Sequence, residues 1–503
     1  MTPSGWSRLA GLAAVALAIA WLPGQTQAGA LRHWIAVGAL PLLIALRGPA
    51  LPRTLWPWAA LVALTAISAL WAPWPGAALD VALTQLGWLA AALLGNRCDS
   101  DELAPWVSLA GALGVGMAWS FGNPDYAVAW LVGTVPWTGW ALWRGPSKRV
   151  RGWVRGLHGL SLLAQLGALA FFNSLGAWAA LVLAAGLLGL QAGGRWRLAA
   201  VGLLLAGAVA CLHPTVHEHV TGRLHLAKIA FEIGQLEPLT GTGPGAFHGA
   251  FLEGQATVDA GDRWTNATHA HNEPLQVWAE QGLPGLLLLL APLALVLGRP
   301  QRSPAWAGVV IYATVGLVSL PLYMPGGAWL AGLCLGAATR GPASTGPWPR
   351  RLGLAIAVPA LLLASANLLS DRLLRRADTA EDPRLAAQAG TLALRPARAL
   401  RVEARALMPT DLAAAAAAAA AANQRAVSVE GHMLVGQVAM AAGQPAQAAL
   451  AYEQAVRLCP RLFAGWFDLA LAHRGAGQHG AARRAAARAR ALRPSDPRTQ
   501  HLP

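Results

Sequence analysis

Charge is what this 503-residue chain has least of: 12% of its residues are Asp, Glu, Lys or Arg, against 55% hydrophobic. A soluble globular domain carries about 25% charged residues, whereas a bilayer core tolerates few ionised side chains. Lysine is nearly absent, with Lys148 and Lys228 alone, so arginine supplies almost all the positive charge. The four cysteines, Cys98, Cys211, Cys334 and Cys459, lie far apart. That scatter excludes a thiolate metal motif or a redox pair and leaves them as small apolar core residues. The net charge of +15 would fit a nucleic-acid ligand, yet no basic stripe is interleaved with aromatics for base stacking, which excludes that class of partner. Charges cluster at the ends of the apolar runs, so no span is expected to bury an acid or base of the sort that marks an ion path, which argues against transport.

What is present is a series of apolar runs separated by arginine. A spanning helix needs about 20 apolar residues. Thirteen segments meet this: 7–23, 30–46, 54–73, 77–95, 104–122, 126–143, 153–171, 174–191, 196–213, 281–298, 304–322, 324–339 and 352–370. With the N-terminus inside, the inner gaps hold Arg47 with Arg53, Arg144 through Arg151, Arg195 with Arg197, Arg299 with Arg302, and Arg340 through Arg351. The short outer gaps at 24–29, 74–76, 123–125, 172–173 and 323 hold no Lys or Arg, the asymmetry of the positive-inside rule. Arg32 is the exception. The polar segment 214–280 and everything after 370 then lie outside, in the periplasm of a Gram-negative host. The first apolar segment also reads as a signal peptide cleaved near Ala28, which would leave the remaining topology unchanged. The expected fold is all-α: a polytopic membrane helical bundle of about 12–13 spans over 1–370, followed by a periplasmic helical domain over 371–503.

That tail repeats itself. At an offset of 34 residues, Gly443-Gln444 matches Gly477-Gln478, Ala455 matches Ala489, and Pro460 matches Pro494. Small residues at Gly436, Ala455 and Ala489 let paired helices approach, and the prolines end each second helix. The stretches GQVAMAAGQPAQAALAYEQAVRLCP and LALAHRGAGQHGAARRAAARARALRP resemble two tetratricopeptide (TPR) repeats of an α-solenoid. A degenerate unit ends at Pro409, and the ten alanines 413–422 favour a further helix. Such arrays usually present a concave surface to a protein partner; the other reading is a packing appendage of the membrane domain.

Polar chemistry concentrates in the outer segment 214–280. Counting His213 at its edge, it holds seven of the 13 histidines, the others being His217, His219, His225, His248, His269 and His271. It also holds Arg223, Lys228, Arg263, Glu273 and Glu280. Loops on a rigid scaffold are where chemistry at a membrane surface is placed. Gly241, Gly243 and Gly245 superficially suggest a phosphate-cradling loop, but no strand precedes them and Pro244 interrupts, so they read as a tight turn.

Two stretches carry a resemblance. Thr221-Gly222-Arg223-Leu224 leads into KIAFEIGQLEPLTGTGPGAF at 228–247, and HAHNEPLQVWAEQGLPGLLLLL occupies 269–290. Together they resemble the O-antigen ligase and polymerase superfamily, which includes bacterial O-linked oligosaccharyltransferases. The first is similar to that family's Gly-Arg helix and the P-L-x-G-x-G-x-G-x-F turn after it. The second is similar to its His-Asn segment, Glu-x-Gly element and entry into the next span.

The resemblance implies a multi-pass inner-membrane glycosyltransferase. It would move a saccharide from a polyprenyl-diphosphate donor to an acceptor hydroxyl on lipid A core, a growing polysaccharide or a protein, without metal or nucleotide cofactor. It also implies site residues. His271, directly before Asn272, matches the family's functional histidine, and a near-neutral imidazole suits deprotonation of an attacking hydroxyl. Arg223 matches the arginine on the diphosphate, whose developing charge a guanidinium can clamp. His269 assists or orients, Asn272 caps the helix from Glu273 to Glu280, and Glu280 pairs with backbone near the Gly282–Gly285 turn. Two departures stand out: Leu175 replaces an arginine in Ser174-Leu175-Gly176-Ala177-Trp178, and Ala227 replaces a tryptophan. Lys228 or Arg263 would then complete the diphosphate contacts. The alternative is a non-catalytic membrane-anchored TPR scaffold for envelope polysaccharide assembly. A metal site on His217-x-His219 and His269-x-His271 is a third reading, requiring extended backbone to face both imidazoles one way.

Overall fold

The computed structural model describes residues 3–19, 52–117, 124–144, 151–172, 174–210, 214–251, 267–323, 325–339 and 350–502. Among these, every regular element is helical. In chain order the helices of the apolar part are α1 (Pro3–Ile19), α2 (Trp56–Ser68), α3 (Pro75–Gly95), α4 (Ser100–Met117), α5 (Pro124–Arg144) and α6 (Arg151–Phe171). They continue as α7 (Leu175–Ala192), α8 (Arg195–Ala210), α9 (Pro214–Leu236), α10 (Glu273–Leu297), α11 (Pro304–Val315), α12 (Pro325–Ala338) and α13 (Arg350–Ala380). Five described helices are long and apolar enough to cross a membrane: α3, Gly152–Phe171 of α6, α7, α10, and Ile356–Ala380 of α13.

Several expected spans differ. The run 30–46 lies outside the described residues. The run 54–73 forms a helix only to Ser68, followed by turns before Pro73 and Pro75. The run 304–322 stops at Val315, because the backbone beyond it is engaged elsewhere: Gly316 O accepts from Glu273 N at 2.7 Å and Leu317 O from Asn272 Nδ2 at 2.9 Å. Hydropathy alone could not register that diversion. The stretch 214–280 is not all loop, since its first 23 residues form α9.

The expectation that no span buries an acid or base is also corrected. Glu273 and Glu280 of α10 are buried, as is His158 of α6. His158 Nδ1 lies 2.9 Å from Ser108 Oγ in a polar seam joining α4, α5 and α6. Within that seam Gln165 Nε2 donates to Thr138 Oγ1 and Ser161 Oγ, and its Oε1 accepts from Thr134. Such groups sit in apolar helices at acceptable cost because each finds a partner across the interface. Glycines do the rest of the close packing: Gly332 and Gly336 of α12 face the carbonyls of Trp88 and Ala92 on α3, leaving no room for a side chain.

The chain divides into two compact units. One comprises Met1–Trp71, Ala78–Pro244 and His269–Ser365; the other comprises Ala72–Ala77, Gly245–Thr268 and Ala366–Pro503. The second unit holds α14 (Pro383–Leu392), α15 (Ala397–Leu407), α16 (Leu412–Arg425), α17 (Val429–Ala441), α18 (Pro445–Leu458), α19 (Phe463–Gly475) and α20 (His479–Leu492). The alanine run forms α16, with Asp411 Oδ1 capping Ala414 N at 2.9 Å. The 34-residue offset reappears as two matching turns: Gln444 N bonds Ala439 O, and Gln478 N bonds His473 O. At the head of each stands a glycine with positive φ, Gly443 and Gly477. Gly436 gives way to the Tyr452 ring, while Ala455 and Ala489 are fully buried where the helices meet.

One acid in this unit is held against its preference. Partial burial pushes the Asp468 carboxyl up to about 6, against the opposing pull of the Arg498 guanidinium. A carboxylate whose folded pKa is raised binds its proton more tightly folded than unfolded. Its contribution to stability is therefore full below the unfolded value near 4 and declines as pH rises through about 6. Asp468→Asn in the full-length protein should stabilise this unit by about 1 kcal/mol at pH 7 after solvent screening, and by little at pH 4. Amide hydrogen exchange along α19 at both pH values checks this; equal protection gains at both would overturn it.

Candidate functional site

The site is built where α9 and the turn after it dock on the outer half of α10. Trp278 of α10 stacks on Phe231 of α9, with centroids 6.2 Å apart, and donates its indole N–H to Phe231 O at 3.1 Å. Gly234 makes room for that indole.

Helix α10 is interrupted at Gly282, whose φ of 64° and ψ of −164° are not helical. Pro284 has no N–H to return to Glu280 O, so that carbonyl is free to bond elsewhere. Gly243 N takes it at 3.0 Å. Thr242 N and Oγ1 both donate to Ala279 O, at 2.9 and 3.1 Å, and Leu283 N crosses to Pro238 O at 2.8 Å. The Pro238–Gly243 turn thus satisfies the backbone groups that the kink exposes. Gly241 also has positive φ, and a side chain on it would strike the Glu280–Gln281 peptide. The glycine-rich stretch is an interlock with the kink, which agrees with its reading as a turn.

Ahead of the kink, Asn272 caps α10 as expected: its Oδ1 accepts from Leu275 N at 3.0 Å. His271, just before the cap, has a φ of 51°, a left-handed conformation uncommon outside glycine that recurs at functional turns. His269 and His271 are both half-buried in the same turn, with Ala270 buried between them. Ala270 N donates to Gln276 Oε1 at 2.6 Å, Gln276 Nε2 to Glu280 Oε1 at 2.8 Å, and Tyr323 OH to Glu280 Oε2 at 2.5 Å. The Tyr323 ring meets His269 edge-on at 5.4 Å. The Glu280 carboxylate is thus tied to Gln276 on its own helix and to Tyr323 from a distant part of the chain.

On α9, Arg223 is half-buried. Lys228 lies five residues on, roughly 140° around the helix, and forms an exposed pair with Glu232 at 3.9 Å. Ala227, in contrast, is one turn from Arg223 on the same face. Leu175 opens α7 behind the Ser174 cap, whose Oγ accepts from Ala177 N. Arg263 lies outside the described residues, as do the side chains of His217, His219 and His225. His248, in the other unit, places Nδ1 3.1 Å from Ala267 O. Among the described residues no group of three His, Cys, Asp or Glu side chains could hold a metal ion.

Sequence reasoning missed Gln276, Tyr323 and the buried state of Glu273. An acid at the mouth of a span, next to a histidine turn, was the available signal for Glu273. Nothing in the sequence pairs Tyr323 with His269, since 54 positions separate them.

Residues 160–290 match the model of the O-antigen ligase family. The match runs from α6 through the kink of α10 and so contains Arg223, both histidines and Glu280. No curated protein matches the chain. With its apolar helices, the chain reads as a multi-pass membrane protein whose central segment is similar to a family of envelope glycosyltransferases.

Proposed function

We propose that this protein is an inner-membrane glycosyltransferase that moves a saccharide from a polyprenyl-diphosphate carrier to an acceptor hydroxyl. The observation that carries this reading is the histidine turn, held in a left-handed conformation and braced by buried Gln276 and Glu280 and half-buried Tyr323, inside the segment that matches the O-antigen ligase family. A histidine positioned at this expense in backbone strain is suited to chemistry rather than to packing.

In the proposed reaction the acceptor oxygen attacks the anomeric carbon while His271 takes its proton. The bond from that carbon to the diphosphate oxygen breaks, and its electron pair leaves on the diphosphate, where Arg223 stabilises the charge. His269 orients the acceptor side, and Asn272 fixes the turn through its cap. Because the donor is already activated, positioning and electrostatics supply most of the acceleration, and neither metal nor nucleotide is required. The acceptor is lipid A core, a growing polysaccharide or a protein, and the repeat-bearing tail after residue 370, periplasmic in this topology, serves a protein partner.

Purified protein given a lipid-linked saccharide and candidate acceptors, with chelator present, should release polyprenyl diphosphate in step with glycosylated product. Release from no acceptor mixture would overturn the reading. Leu175, where the family carries an arginine, favours a second reading: a non-catalytic scaffold presenting the tail for envelope polysaccharide assembly. Under that reading, deleting residues 371–503 abolishes the phenotype while His271→Ala leaves it intact.

A further inference from the structure

We infer that Glu273 is a positioning residue for the histidine turn, acting by clasping the Gly316–Tyr323 connection against the start of α10. The inference rests on the glycosyltransferase reading only for its activity readout.

Glu273 is the first residue of α10 and is 2% exposed. It grips the connection at both ends. Its own N–H donates to Gly316 O at 2.7 Å, and its Oε1 accepts from Leu322 N at 2.5 Å. The neighbouring Asn272 adds a third tie, Nδ2 to Leu317 O at 2.9 Å. A side chain at Gly316 would come within 3.3 Å of Glu273 Cγ, so the connection lies hard against the acid.

The connection delivers Tyr323, whose hydroxyl bonds Glu280 and whose ring flanks His269. A circuit results. From His269 the chain runs to Ala270, whose N–H is held by Gln276; Gln276 holds Glu280; Glu280 holds Tyr323; and Tyr323 returns to His269. Glu273, outside the circuit, fixes where Tyr323 enters it by holding the neighbouring Leu322 amide. A hydrocarbon side chain would bury as well, but it would leave the Leu322 amide without an acceptor, which is costly in a buried setting. One further observation sets the acid apart. Glu273 Oε2 is buried and makes no hydrogen bond of ordinary geometry, although the Tyr323 backbone N–H also acts on the carboxylate, so Oε1 carries the bond to Leu322. An amide that supplies one oxygen in the same place should therefore serve.

The experiment is a double-variant cycle on the full-length protein, reading kcat, KM for donor, the pH profile and amide exchange of residues 317–323. Glu273→Ala should lower kcat roughly 10- to 100-fold with donor KM within about threefold, since the diphosphate arginine is untouched. It should also shift the acid limb of the pH–rate profile and speed exchange across the connection. Glu273→Gln should restore at least half of the lost activity. Tyr323→Ala should lower kcat similarly, and adding Glu273→Ala to it should cost less than threefold more, because both act through the same contact. Fully multiplicative losses, or wild-type exchange and pH profile in Glu273→Ala, would overturn the inference. If Glu273→Ala loosens the connection while His271→Ala transfers glycan normally, the clasp stands and the assignment of the site fails.

Discussion

His271→Ala and Arg223→Ala, each at wild-type expression in a deletion strain, are expected to abolish the glycosylated envelope product. Removal of a general base costs about 10² to 10⁴ in rate, and loss of a group that stabilises a developing anion costs about 10² to 10³. Either is enough to remove visible product over a growth cycle. The two losses should differ in kind. Without His271 the acceptor hydroxyl must shed its proton unaided, so kcat falls with donor affinity preserved, and the acid limb of the pH–rate profile disappears. Without Arg223 both donor KM and kcat worsen, because the diphosphate is present in the ground state and gains charge as the bond breaks. His271 belongs to a turn with positive φ, so His271→Asn, a residue that tolerates this backbone, should be as inactive as the alanine variant while folding normally. The identity of the vanished product names the acceptor. Wild-type transfer in both single variants would remove the reading of the site.

The second large effect is on folding. Gly282→Ala should reduce the yield of folded protein sharply and lower its melting temperature in detergent. At a φ of 64° and ψ of −164° the residue occupies a region essentially restricted to glycine. A Cβ there would stand 2.7 Å from both the carbonyl carbon of Leu239 and the oxygen of Pro238, backbone atoms that cannot swing aside. Strain and displacement together should cost about 3 kcal/mol or more. Gly241→Ala meets the same interface from the other side, against the Glu280 carbonyl. The double variant should therefore be much less than additive. Gly443→Ala is the contrast: its φ of 69° is also positive, but a side chain would meet nothing within 4 Å. That variant should cost only the conformational term, about 1 kcal/mol. Thermal unfolding of the four variants in one detergent measures the series, and equal losses at Gly282 and Gly443 would contradict the interlock.

The glycine stretch shows where sequence reading reaches its limit. Pro244 and the lack of a preceding strand argue for a turn rather than a phosphate cradle, and a turn is what forms. What the turn is for was invisible, since its partner is a kinked helix some forty residues later. Pro284 and Gly282 announce a break in α10, and Asn272 announces its start, because caps and breakers act on their immediate neighbours. The run 304–322 misled for the opposite reason. Its composition suits a span, but Glu273 and Asn272 draw its second half out of helix through bonds formed only in the fold.

By itself, then, the sequence pointed to the apolar, membrane-capable helices, the helical character of the described residues, the 34-residue periodicity of the tail and the segment that is similar to the O-antigen ligase family. These follow from composition, local propensity and spacing, quantities that each residue or its near neighbours carry. Tertiary structure alone decided which groups share a wall with the histidines: Gln276 and Glu280 about one and two turns along α10, and Tyr323 from a connection diverted out of its helix. It also decided that two acids would be buried at the mouth of a membrane-capable helix. Burial of a carboxylate is tolerable only when distant donors arrive to bond it, and no local pattern records where those donors will be.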